Sequence, residues 1–127
     1  MVDRTNEQLF RTARELQESG DLPSAVTQFK TLIEKDDSDP RYWIAFAHCL
    51  IRLSHWRQAA KAFQAGIDRK PHYAEADARV AYAEVLLKLK ETRMARKQLE
   101  HVLTMTPFYP SHDRPMNEAR KLLATLD

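Results

Sequence analysis

Residues 42–51 read YWIAFAHCLI, ten residues without an acid, a lysine or an arginine, in a chain of 127 residues that is 30% charged. As helix the run is about 15 Å long at roughly 1.5 Å per residue, half of a bilayer core, so it cannot span one. Two glycines in the whole chain, against abundant Ala, Leu, Glu, Lys, Arg and Gln, leave too little turn chemistry for a sheet of hairpins. The stretch therefore reads as a helix. Its lack of charge implies that one side faces helical neighbours and the other floors a groove.

Working outward, the length fits one domain over 1–127 that is large enough to bury its own core. The start, MVDRTNEQLF, carries acids and polar groups where a secretory leader needs a basic end and an apolar run. Cys49 is the sole cysteine and fits a reducing compartment, so the expected location is cytoplasmic. The net charge of +2 is unevenly spread: residues 1–40 hold five basic and nine acidic side chains, and 41–127 hold fifteen and nine. Such asymmetry can orient a partner or favour head-to-tail self-association, and many solvated surfaces share it.

The chain repeats itself. Small residues recur at Ala13, Ala47, Ala83 and Ala119, spaced by 34, 36 and 36, and each is followed three later by Leu16, Leu50, Leu86 or Leu122. A second ladder runs Ala25, Ala59, Ala95, with Phe29, Phe63 or Leu99 four residues on. Each unit reads as two helices. Thr5 with Gln8 suggests a capping box for a helix near 6–18, and Asp21 caps one near 22–35, with Pro23 in its first turn. Asp39-Pro40 opens a helix to about Leu53, Ser54 caps its partner near 55–69, and Pro71 closes that unit. A third pair is expected near 75–90 and 92–105, stopped by Pro107. The extra two residues of the longer spacings are assigned to the turns at PHY (71–73) and PFY (107–109). The units are 6–39, 40–73 and 74–109, and a last helix at 114–126 caps the third.

These residues resemble the tetratricopeptide repeat. The middle unit matches its pattern at Trp43, Phe46-Ala47, Leu50, Ala59, Phe63 and Pro71. Gly66 stands where the family usually has alanine, an exchange expected to be harmless. Thr12, Asp37, Arg79 and Leu99 depart from the pattern. The resemblance implies an all-α, right-handed α-solenoid, with the first helices of successive units lining a concave surface and the second helices forming the back. Alanine at the crossings lets backbones approach to roughly 8–10 Å. No unit buries its apolar face alone, so neighbours must stack.

On the middle first helix, Trp43, Phe46, Ala47 and Leu50 form the core stripe. Ile44, Ala45, His48, Ile51 and Arg52 form a second stripe at three- and four-residue spacing. The corresponding residues are Phe10, Arg11, Arg14, Gln17 and Glu18 in the first unit, and Val80, Ala81, Glu84, Leu87 and Lys88 in the third; Leu123 extends them. The expected peptide groove has Phe10, Ile44, Ile51, Val80 and Leu87 as apolar ground, Arg14, His48 and Glu84 across its middle, and Ala45 and Ala81 leaving room. Arg11 and Arg52 complete the expected groove residues. The competing reading is that neighbouring first helices fill this stripe themselves.

The carboxylate clamp of repeat proteins that grip chaperone C-termini is absent: the matching places hold Phe10, Arg14, Ala45, Asp77 and Ala81. RYWIAFAHCL (41–50) and AEVLL (83–87) resemble bacterial type III secretion chaperones for translocator proteins, which implies an apolar concave groove. Five histidines form no HExxH motif, Cys49 reads as a small core residue, and glycines only at 20 and 66 cannot cradle a phosphate. The basic run Lys88, Lys90, Arg93, Arg96 and Lys97 reads as a solvated edge or a binding knob, without aromatics beside it to stack single strands. The expected function is a non-catalytic protein-interaction adaptor that binds a peptide or partner helix. It takes no cofactor, no metal and no small-molecule substrate, and neither nucleic acid nor membrane insertion is expected. A secretion chaperone shielding an apolar segment, and a structural subunit self-associating through Trp56 or the N-terminal helix pair, are the alternatives.

Overall fold

The computed structural model describes residues 4–105 and 112–126. Among them are seven α-helices and no strand: α1 (Arg4–Ser19), α2 (Leu22–Lys35), α3 (Pro40–Arg52), α4 (Trp56–Asp68), α5 (Glu75–Lys88), α6 (Thr92–Thr104) and α7 (Asp113–Leu126). Each helix packs against the next, and α7 also reaches α5. The expected helix at 114–126 is thus present as α7. Pro107 and the PFY turn lie outside the described residues.

Every member of the two alanine ladders is fully buried, from Ala13, Ala47, Ala83 and Ala119 to Ala25, Ala59 and Ala95, and so are Phe29, Phe63 and Leu99. The leucines that follow the first ladder behave by position. Leu50 and Leu86 are buried in the middle, while Leu16 and Leu122 at the two ends of the stack are half-exposed. This is the signature of units that complete one another's cores.

The turn inside each unit has one backbone design. Gly20, Ser54 and Lys90 all adopt positive φ, at 93°, 59° and 66°. Around Ser54 its own amide donates to Ile51 O at 2.9 Å and the His55 amide to Leu50 O at 2.9 Å. The paired bonds recur as Gly20 to Gln17 with Asp21 to Leu16, and as Lys90 to Leu87 with Glu91 to Leu86. These are Schellman ends, which satisfy the last carbonyls of one helix and aim the chain straight into the next. The next residue then caps the second helix: Asp21, His55 and Glu91 accept, at their backbone oxygens, from the amides of Ala25, Ala59 and Ala95.

Two sequence expectations are corrected here. Ser54 does not cap α4; it occupies the left-handed position, and His55 precedes the helix without a side-chain cap bond. Thr5 already lies within α1, which has begun by Arg4, so it is not the residue before the helix. Asp21 and Asp39 do cap, their carboxylates accepting from the amides of Ser24 at 3.4 Å and Arg41 at 2.9 Å. A left-handed conformation costs a side-chain-bearing residue about 1–2 kcal/mol. Lys90→Gly is therefore expected to stabilise the fold by about 1 kcal/mol, since part of that relief is offset by glycine's greater freedom when unfolded. A thermal melt rising by roughly 4 °C checks it, and a lower melting temperature would refute it.

The core forms two neighbourhoods. Ala13, Ala25, Phe29 and Leu32 enclose Tyr42, Ala45 and Cys49. Ala47 and Leu50 join Ala59, Phe63 and the α5–α6 residues, with Ala119 of α7. Thus α3 supplies both, and YWIAFAHCLI is apolar all round chiefly because it is walled in by the preceding and the following helix pairs. The expectation that its second side floors a groove holds for only part of that side.

Gly66 is not a harmless exchange. A β-carbon built there would lie 2.8 Å from Ile44 Cγ1 and 3.3 Å from Trp43 Cβ, so α4 crosses α3 too closely for alanine unless Ile44 moves.

Candidate functional site: the concave cavity

A cavity of about 460 Å³ opens between the leading helices α1, α3 and α5. Its floor is Ile44, Ala45 and His48 of α3. One wall is Phe10 and Arg14 of α1, and the other is Ala74, just before α5, with Asp77 and Ala78 of α5; Pro40, Arg41 and Pro71 close its end. Pro71 and the 3-10 turn His72–Ala74 place Ala74 there, so the two extra residues between units help to build the wall.

Of the residues expected from sequence, Phe10, Arg14, Ile44, Ala45 and His48 come together at this cavity. Arg11 and Glu84 are exposed but line no part of it, and Ile51, Ala81 and Leu87 are half-buried against the core. Arg52 donates through Nη1 to Gln17 O at 2.6 Å, tying the end of α3 to the end of α1. Gln17 itself is buried, its Nε2 donating to Ala45 O at 3.2 Å. Val80 lines no part of the cavity and is packed into the larger core neighbourhood. The reason is that α5 is enclosed by α4, α6 and α7.

Ala74, Asp77 and Ala78 were missed for a geometric reason. A cavity between two helices is lined by their facing flanks, and the flank of α5 that looks towards α3 is not the equivalent of the flank of α3 that looks back. Three residues before Val80 and Ala81 stand Asp77 and Ala78, a step of about one turn that also rotates the side chain by roughly 60° around the axis. Carrying the α3 stripe over unchanged to α5 could not find them.

Arg41 holds the closed end rigid. Its guanidinium bonds Asp39 Oδ2 at 2.8 Å and Glu7 Oε1 at 2.9 Å, and its Cζ lies 4.8 Å from the centroid of the Phe10 ring. These carboxylates raise its already high pKa further. Phe10 in turn meets Phe29 edge-on at 6.2 Å and Tyr42 at 5.3 Å, which fixes the apolar wall to the N-terminal core.

His48 stands open to the cavity, yet the protein on either side desolvates it and pushes its pKa down; Arg14 adds to the drop and Asp77 opposes it. The ring is neutral at pH 7, able to donate from one nitrogen and accept at the other. Its edge rests on Phe63, 5.2 Å between centroids and at 90°. Cys49 points away into the core, where burial raises its thiol pKa and keeps it protonated and unreactive. Farther along α5, desolvation and the neighbouring Glu118 raise the pKa of Glu84.

An apolar floor with two arginines, of which Arg41 is already ion-paired, one neutral histidine and one carboxylate is a surface for gripping a chain segment. The model of the tetratricopeptide repeat matches residues 44–110, more than half of the chain. The chain belongs to the tetratricopeptide repeat family. Among curated proteins, none matches. Among solved structures, this repeat protein is similar to the Yersinia enterocolitica type III secretion chaperone SycD in complex with a peptide of the translocator YopD. There the identity is 21%, with 98% of this chain and 94% of that chain covered and a TM-score of 0.88. PcrH from Pseudomonas aeruginosa matches at 21% identity over 99% of this chain and 94% of that one, with a TM-score of 0.85. At such identities these likenesses establish a shared repeat fold. No helix among the described residues is long and apolar enough to cross a membrane.

Proposed function

We propose that this repeat protein is a non-catalytic module that captures an extended segment of a partner protein in the concave cavity, with an apolar side chain of the segment seated on Ile44 and Ala45. The observation that carries this reading is the convergence of three successive leading helices on one largely apolar cavity of about 460 Å³, a size typical of ligand pockets. Arg14 on one wall and Asp77 on the other give the cavity a direction, so an acidic group of the segment would lie towards α1 and a basic one towards α5. The cargo class follows the likeness to SycD and PcrH. The segment belongs to an exported protein, and this protein shields it in the cytoplasm until export. An adaptor for another protein's peptide is the broader form of the same reading.

Ala74→Trp tests it. Ala74 is exposed and lines the cavity, so an indole there fills the space while the core stays untouched. Immobilised wild type and variant are compared in pull-downs from the native lysate, with circular dichroism to show unchanged helicity. Loss of the captured partner, by about tenfold or more, is expected from blocking a central anchor site. Equal capture by a folded variant would rule the cavity out.

A further inference from the structure

We infer that this protein carries a second docking site, between α4 and α6, for a peptide that joins an apolar anchor to acidic flanks. A depression of about 320 Å³ lies there, and it shares no lining residue with the concave cavity. Its floor is Tyr82 and Leu86 of α5 and Leu89 just beyond it, with Ala60 of α4 and Met94 of α6 at its sides. Met94 is 45% exposed and is the one large hydrophobic side chain so exposed among the described residues. A flexible thioether at the mouth of an apolar depression adapts to an incoming side chain at little cost.

Charge chooses the occupant. Arg57 and Lys61 stand on the α4 rim. Lys88 and Lys90 bracket Leu89 in sequence, and Arg93 precedes Met94. Two acids oppose them. Glu91 is engaged by Arg57 at 3.5 Å, and Asp68 accepts from Gln64 Nε2 at 2.8 Å. Lys61, Lys90 and Arg93 are exposed and make no ion pair among the described residues, which leaves their charge facing solvent. A like-charged segment would be repelled and an acidic one drawn in, most strongly at low salt. Nucleic acid fits less well. Tyr82, the one aromatic ring among the lining residues, is only 4% exposed and cannot offer a face for base stacking.

The probe is a short fluorescein-labelled synthetic peptide with leucines at helical spacing flanked by glutamates. Its partners are the same peptide with lysine for glutamate, and a labelled single-stranded oligonucleotide. The readouts are fluorescence anisotropy and the Met94 methyl resonance. The acidic peptide is expected to shift the Met94 methyl saturably. Lys61→Glu should weaken its binding by about tenfold, as should a rise to high salt, because both remove attraction at the rim. Ala74→Trp, which blocks only the concave cavity, should leave it unchanged, so a failure of this site and a failure of the concave one read out separately. Lys61 is exposed, and Lys61→Gln with intact helicity serves as the milder variant, expected to weaken binding in the same direction. The inference is overturned if the Met94 methyl does not respond, if the lysine peptide or the oligonucleotide binds as well as the acidic one, or if Ala74→Trp abolishes the effect.

Discussion

Phe63→Ala is expected to remove about 3–5 kcal/mol of stability, the usual cost of hollowing out a buried aromatic site. That is a large share of the roughly 5–15 kcal/mol by which a domain of this kind outweighs its unfolded chain. Phe63 is fully buried and joins consecutive units through its ring. It stacks near Tyr82 of α5 at 6.4 Å with 30° between planes, and carries the edge of His48 on its face. Ala59, one turn earlier, and the crossing at Gly66 leave no larger neighbour able to slide into the vacated space. Chemical denaturation followed by circular dichroism should show a much lower midpoint with little change in slope. Phe63→Leu should cost far less, since it keeps most of the volume. A loss below about 1 kcal/mol in the alanine variant would mean that the units are not coupled through this ring.

Removing α7 is expected to do still more damage. Its Ala119 is fully buried, and Met116, Leu122, Leu123 and Leu126 pack on the larger core neighbourhood. Arg96 of α6 also donates to Leu126 O at 3.1 Å. Without this helix, Leu99 and Val102, now fully buried, lose their cover, as does half-buried Leu103. Each fully buried side chain of this size is worth about 1.5–3 kcal/mol, so the combined loss reaches about 5 kcal/mol or more. A chain ending before Asp113 should lose helicity beyond the residues deleted and should aggregate as concentration rises. A truncated chain that stays monomeric and melts sharply near the original temperature would show that α7 is an appendage and not a cap.

Much of this architecture was legible because alanine at a helix crossing is a demand of distance, and a demand of distance repeats with the unit. Hence ladders spaced by 34 and 36 marked residues that are all fully buried. The turns were only half legible. Gly20 is a residue type that takes the left-handed position readily, while Ser54 and Lys90 are not, because there the backbone geometry is imposed by the stacked helices and overrides residue preference. The cavity was legible on α1 and α3 and lost on α5. Periodicity tells which residues share a face, and it does not tell which way that face is turned once α7 encloses α5. Val80→Glu, an obvious groove substitution from the sequence, would bury a charge in the core and report on folding instead of capture.

The tight crossing at Gly66 reaches beyond stability. Ile44 belongs to the cavity floor and at the same time fills the notch that the missing β-carbon leaves on α4. A segment seated on that isoleucine as proposed would press on the neighbouring rod at the same point, because one side chain serves both as floor and as wedge.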